Sequence, residues 1–430
     1  MGYWKNKMIE EQDRGWSSVE KYVCAECLDD DALQTFVAEH ATEKKCDYCS
    51  RRSRKHPISV HMDDLLELIS EGIRSEWNNP DSEGIGYESA EGGYQGTVIN
   101  TWELIHDEIG NPFIPEKLAA DIIDSLDASG GLWCQRNYCG LASHNVLKYG
   151  WNDFTDVVKH SKRFLFSIAV EERDEFSVDD TLRPHEFLSA LAKVITDVDL
   201  VRPLPSGTSI YRARVHRPEE NFVRASELGT PSVEVSRFSN RMSPAGIPMF
   251  YGALDEQTAI AETFDPQKGT DASVTIGRFT TARAFPVVDL TQVPEIPNLF
   301  DRSRRDVRAP IRFLQAFIED FSAPVVKDGR EHIDYVPTQV VTEYFRHFYR
   351  HPIHGAPKGI FYNSARERGN VSCVLFFSSE QCCDKQRSWK EAIEEFTSQP
   401  KWWLGLQKSG IKRMDVAPAW AISGENVEDN

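Results

Sequence analysis

Four cysteines stand at a metal-binding spacing: Cys24 and Cys27, then eighteen residues, then Cys46 and Cys49. A Cys-x-x-Cys turn presents two thiolates to one ion. Two such turns complete the tetrahedral shell of a structural zinc site, which leaves no open position for catalysis. Two redox dithiols are another reading of the same pairs. Structural disulfides fit less well, because Glu10, Glu11 and Asp13 break the N-terminus before any apolar signal-peptide core. Cys134, Cys139, Cys373, Cys382 and Cys383 show no matching pairing and read as buried or half-buried thiols.

A second constellation is Arg136-Asn137 followed by His144. Arg can hold a phosphate while His moves protons near neutral pH. The pair resembles the Arg/His active site of the HEPN family of helical RNases, although seven residues intervene here, more than that family uses. The alternative is a structural pair within a helical bundle. Arg51 and His56 have the family's separation but belong to the basic run Arg51, Arg52, Arg54, Lys55, which reads as a solvated edge of the cysteine module.

These groups need elements to position them. After the cysteine module, Leu65, Leu66, Leu68, Ile69 and Ile73 fit one helix, and an acidic, glycine-rich loop runs from Asn79 to Gly96. That loop lacks the third glycine and the preceding strand of a dinucleotide fingerprint. Helical patterns recur at Trp102 to Ile109, Pro115 to Leu126, Phe154 to Val170 and Pro184 to Val198. Past residue 200 the pattern turns mixed. Ser209 to Val215, Ala272 to Thr280, Ala284 to Leu290, and Phe361 with Val371 to Phe377 supply strand material. Asp255 caps a helix to about Phe264, Ile311 to Phe321 is another, and Pro337 opens a long one. The fold class is α+β, with a mainly helical half before a mixed domain. The divisions expected are a zinc module over 1–56, an acidic helical domain over 57–200, a catalytic domain over 201–385, and a C-terminal helix with a polar tail over 386–430.

The mixed half carries an ordered set of motifs: Tyr211-Arg212-Ala213-Arg214, Arg237-Phe238-Ser239-Asn240, Met249-Phe250-Tyr251-Gly252-Ala253, Ala259-Ile260-Ala261-Glu262, Gly359 through Asn363-Ser364-Ala365-Arg366, and Cys373-Val374-Leu375-Phe376. Together they resemble the RES domain, named for its Arg, Glu and Ser. The resemblance covers roughly residues 205–380 and implies an ADP-ribosyltransferase-like mixed sheet and a toxin that consumes NAD+, in some members by phosphorolysis. The first 200 residues resemble the zinc-bearing, HEPN-like extension of long RES proteins. Known toxins of this kind are paired with an antitoxin, which makes such a partner a further expectation.

On this resemblance Arg212, Glu262 and Ser364 are the catalytic set, and Tyr211, Arg237, Tyr251, Asn363 and Arg366 bind the dinucleotide. The residue types suit the reaction. Cleaving the nicotinamide–ribose bond builds an oxocarbenium-like charge that a carboxylate stabilises. Arg212 and Arg214, two apart on a strand, share a face and can line one anion groove. Ser364 can hold ribose or phosphate oxygens, and no histidine motif suits it as a triad nucleophile. His216, His332, His347, His351 and His354 lack metal-ligand spacing and read as structural or surface residues.

Composition sets the outer limits. The 430 residues carry a net charge of −18, and residues 1–200 hold the whole deficit, with 20 basic against 38 acidic residues, while the remainder balances at 29 against 29. An acidic first half opposes unspecific nucleic-acid coating, so the neutral half is the expected host for an anionic small molecule. No apolar run is long enough for a membrane span. The expectation is a cytoplasmic enzyme that degrades NAD+, with NAD+ and inorganic phosphate as small-molecule partners and structural zinc. ADP-ribosyl transfer to a macromolecule, HEPN-type RNA cleavage and a non-catalytic binding module are the alternatives.

Overall fold

The computed structural model describes residues 10–11, 14–89, 92–128, 130–136, 143–167, 182–264, 273–323, 329–367, 369–385 and 402–415. It is α+β, as the sequence pattern predicts. The chain groups into two compact units, one comprising Met1–Val146, Phe176–Thr181 and Glu295–Arg312, the other Leu147–Glu175, Leu182–Pro294 and Phe313–Asn430. Among the described residues no helix is long and apolar enough to cross a membrane.

In the first unit the strand Tyr22–Cys24 pairs antiparallel with Ser59–His61. Helix α1 (Asp31–His40) starts where the Asp30 carboxylate accepts the Leu33 amide, a capping bond that satisfies one orphan donor of the first turn. Helix α2 (Met62–Glu76) buries Leu65, Leu66, Leu68, Ile69 and Ile73, an apolar stripe at helical spacing. Helix α3 (Glu116–Asp127) adds Leu118, Ile122 and Leu126 to the same core.

The segment 295–312 also belongs to this unit. Its Phe300 lies in that core, and a Cβ at Gly72 would come within 2.7 Å of the Phe300 ring, so only glycine lets the ring approach α2. Glu76, at the end of α2, is forked between Arg308 (2.7 Å) and Arg312 (3.2 Å). The acidic loop from Asn79 to Gly96 contains one small hairpin, Tyr87–Glu88 with Gly93–Tyr94. Trp102 to Ile109 begins as helix at Thr101–Glu103 and widens into a π turn at Leu104–Glu108.

The second unit is built on a nine-stranded sheet. Its strands are β1 (Val201–Leu204), β2 (Ser209–His216), β3 (Phe250–Ala253), β4 (Ser273–Thr281), β5 (Phe285–Asp289), β6 (Gly359–Asn363), β7 (Val371–Leu375), β8 (Cys382–Asp384) and β9 (Leu404–Asp415). Their order across the sheet is β8-β9-β4-β2-β3-β7-β6-β5-β1. The β5–β6 and β8–β9 pairs are parallel and the others antiparallel. Side-chain alternation feeds two cores. Ile360 and Val374 join one core, with Trp151, Phe154, Phe187, Leu191, Phe313, Phe317 and Phe345. Phe361 and Leu375 join the other, with Ile210, Phe250, Phe279 and Phe377.

The helices of the first of these cores include α4 (Ser143–Asp156) and α5 (Pro184–Asp197). The expected helix from Phe154 to Val170 therefore begins earlier, at Ser143, and loosens into a π turn over Val157–Ser161. In the C-terminal stretch, residues 386–401, which could hold the helix expected in 386–430, lie outside the described residues, and the described part, 402–415, forms β9, whose residues 404–406 and 411–415 pair with β4 on either side of an irregularity. Leu404 and Leu406, two apart on that strand, are both buried in one core.

Candidate active site

Strands β2, β3, β6 and β7, the helix Glu256–Thr263, the short helix Glu331–Asp334 and the loop between β2 and β3 line a cleft of about 1080 Å³ in the second unit. On β2, Arg212 and Arg214 both line it. Arg212 Nη1 donates to the Tyr251 carbonyl of β3 (2.8 Å), and its guanidinium lies 5.2 Å from the Phe250 ring centre. Arg214 Nη2 donates to the Gly229 carbonyl (3.2 Å). The Nε atoms of both residues are buried and have no hydrogen-bond partner. Burial and the neighbouring Arg214 cation push Arg212 down to about 10. Arg237, Arg241 and Arg366 line the same cleft, and none of the five arginines forms an ion pair with a described carboxylate. Five arginines against the two lining carboxylates, Glu262 and Glu331, make a cleft that can hold an anion.

Helix α6 (Glu256–Thr263) supplies the carboxylate. Asp255 caps it, accepting the Thr258 amide (2.8 Å) and hydroxyl (2.7 Å). At the other end Arg366 Nη1 bonds the carbonyls of Ala261 (3.1 Å) and Phe264 (2.7 Å), so a cation closes the negative pole of the helix. Between these ties Glu262 is exposed to the cleft. Its Oε1 accepts the hydroxyls of Ser364 (2.6 Å) and Ser372 (3.2 Å), and Oε2 has no described partner. Two donors on one oxygen fix the rotamer and leave the other oxygen for a ligand.

The expected site residues fall into three groups. Arg212, Arg237, Tyr251, Glu262 and Arg366 line the cleft together. Ser364 is buried behind Glu262 and also accepts the Arg366 (3.2 Å) and Glu367 (3.1 Å) amides, so its hydroxyl holds the carboxylate. Tyr211 and Asn363 do not line the cleft. Tyr211 packs against the small core of Ala213, Ala253, Ala259 and Ile276, and Asn363 is exposed at the end of β6.

Sequence reading missed Arg241, Tyr335, Tyr362 and Ser372. Arg241 and Ser372 adjoin a motif and Tyr362 lies inside one, whereas Tyr335 is remote from all of them, and the fold brings the four to one cleft. Burial raises all three tyrosines of the cleft. It takes Tyr251 to about 12, it raises Tyr335, and it raises Tyr362 further with the negative charge of Glu262 adding to the effect. They are therefore neutral hydrogen-bonding walls at physiological pH. His332 also lines the cleft, while His216 is buried against Thr275 and His351 stacks on His354.

In the first unit Cys24, Cys27, Cys46 and Cys49 form one cluster, with Sγ–Sγ separations of 3.8, 3.6 and 3.7 Å between successive partners. A tetrahedron with zinc–sulfur bonds of about 2.3 Å has edges of about 3.8 Å, so these thiols fit a four-cysteine zinc shell. They are too far apart to be disulfides. Cys134, Cys373 and Cys382 are buried, Cys383 is half-buried, and Cys139 lies outside the described residues. Arg136 is exposed and bonds the Arg74 carbonyl (3.2 Å), whereas Asn137 and the side chain of His144 lie outside the described residues.

With sheet, cleft and cysteine cluster in place, the family comparison agrees with the geometry. Residues 209–397 match the RES domain. Residues 39–172 match HEPN/RES N-terminal domain 1. The chain is a RES-domain protein with a HEPN-like N-terminal region, which points to an NAD+-related, toxin-like function. No curated protein matches the chain.

Proposed function

We propose that the cleft cleaves the nicotinamide–ribose bond of NAD+, by phosphorolysis or hydrolysis. The observation that carries this reading is a hydroxyl-held carboxylate, Glu262, in one cleft with two side-by-side arginines whose Nε atoms are buried and unpartnered. The volume suits a ligand of dinucleotide size. Arg212 and Arg214 bind pyrophosphate or incoming phosphate oxygens, and Arg366 pins the helix that carries Glu262. As the C–N bond breaks, its electron pair leaves with nicotinamide, and the pyridinium becomes neutral. Positive charge builds on the ribose, where the Glu262 carboxylate stabilises it. A phosphate oxygen then bonds to the ribose carbon and gives ADP-ribose 1″-phosphate. Alternatively water does so, loses a proton to solvent and gives ADP-ribose.

The four-cysteine cluster, with zinc bound, would hold the first unit together and supplies no chemistry to this reaction. In this proposal the N-terminal half senses, scaffolds or restrains the RES domain, and the setting is a toxin–antitoxin or anti-phage system. The test is to incubate purified, zinc-replete protein with NAD+ in phosphate and in phosphate-free buffer and identify products by mass spectrometry. ADP-ribose 1″-phosphate or ADP-ribose supports the reading and tells the acceptor. A modified macromolecule would move it to transfer, and intact NAD+ under every condition would overturn it.

A further inference from the structure

Phe238 is 80% exposed although it lines the cleft. Its loop is tied on both sides. The Gly246 amide bonds the Ser236 carbonyl (2.8 Å), Gln339 Nε2 bonds the Asn240 carbonyl (2.8 Å), and Arg241 Nη1 bonds the Phe321 carbonyl (3.1 Å). The ring is thus displayed by an anchored backbone. Val235, also on the cleft wall, is 61% exposed. Apolar surface inside a cleft is available for a ligand to cover. The same cleft holds Arg212 and Arg214, whose Nε atoms have no hydrogen-bond partner. A free phosphate would use those cations and leave the ring in water. A nucleotide uses both, placing phosphates on guanidinium and a flat base on the aromatic face.

We propose that Phe238 is a stacking surface for a planar base of the ligand and so sets specificity for nucleotides over other anions. The inference rests on reading the cleft as a nucleotide site, and it does not depend on which bond is cleaved.

The test uses the full-length protein with Phe238→Ala, Phe238→Leu and Phe238→Trp. Each is titrated calorimetrically with ADP-ribose, nicotinamide mononucleotide and base-free ribose 5-phosphate, with NAD+ turnover measured in parallel. Phe238→Ala should weaken at least one base-bearing probe about tenfold and leave ribose 5-phosphate unchanged. Phe238→Trp should restore the affinity and Phe238→Leu should not. The probe that suffers shows which base stacks. Undiminished binding of both base-bearing probes by the Ala variant, equal loss for ribose 5-phosphate, or full rescue by Leu each overturns the proposal. A wild type that leaves NAD+ intact while the base-selective loss persists would sink the cleavage reading alone. NAD+ cleavage with no base-selective loss would sink the stacking role alone.

Discussion

Ser364 Oγ lies 2.6 Å from Glu262 Oε1, across 102 positions of sequence, and the hydroxyl is buried whereas the carboxylate is open to the cleft. The serine and glutamate of the family motif thus form one unit, in which Ser364 holds the carboxylate that lines the cleft. On the proposed reaction Glu262→Gln keeps the size of the side chain and loses its charge. NAD+ consumption should fall roughly a hundred- to thousand-fold, with little change in NAD+ affinity by calorimetry. A near-normal rate in this variant would remove Glu262 from the chemistry.

Ser364→Ala should act through the carboxylate it holds. A hydrogen bond to a charged group is worth about 1.5–3 kcal/mol, so kcat should drop about tenfold or more while KM stays close to wild type. Ser372→Ala, which loses the longer 3.2 Å bond to the same oxygen, should cost less. Steady-state kinetics of both variants, and of Ser364→Thr as a rescue, would check the order. A KM effect larger than the kcat effect would place Ser364 on the substrate instead.

Arg212 makes a pH prediction with a definite sign. Burial, then Arg214, hold its folded-state value near 10, below the ordinary one. Between about pH 10 and that ordinary value the unfolded chain binds more protons than the folded one, so the unliganded protein regains stability as pH rises. In urea unfolding, any advantage of Arg212→Met over wild type at pH 8 should narrow by pH 11. A gap that is constant or widens would mean that the cation is not held at a cost. Below pH 10 an anion should relieve the same cost, so ADP-ribose should raise the melting temperature of wild type more than that of the Met variant.

The four-cysteine cluster predicts about one zinc per chain by metal analysis. Cys24→Ser with Cys27→Ser should lose the ion and the local structure, because such modules draw folding energy from the metal. Far-UV circular dichroism and limited proteolysis near residues 20–60 would report the loss. Zinc-free wild-type protein of unchanged stability would refute the assignment.

The boundaries of a foldable RES fragment can be tested as well. A chain starting at residue 201 lacks Trp151, Phe154, Phe187 and Leu191, all buried in the core of the second unit. Deleting a single large core side chain typically costs about 3–5 kcal/mol. Such a fragment should therefore melt well below one starting at residue 143, as scanning calorimetry would show.

Local patterns made part of this readable in advance. The Cys-x-x-Cys pairs, the Asp255 cap and the alternation from Ser209 onward each encode their geometry within a few residues, and the structure places them accordingly. Tyr211 shows where that reading stops. Motif membership says that a residue matters to the family, but neighbours on a strand point to opposite faces, and only the packing of α6 decides that Arg212 and not Tyr211 meets the cleft. Ser372 and Tyr362 were invisible for the opposite reason, since their roles come from a strand pairing that no short window contains. At the C-terminus, β9 draws its order from β4, more than a hundred residues earlier.

The tie of Glu76 to Arg308 and Arg312, with Phe300 seated beside Gly72, has a consequence for biosynthesis. The first unit lacks part of its own core until the ribosome has passed residue 312, by which time strands β1 to β5 have already been made. Domains generally fold from the N-terminus during translation. Here the first unit completes its core only once residues 295–312 are made, and a chain interrupted before residue 295 leaves it without Leu299 and Phe300.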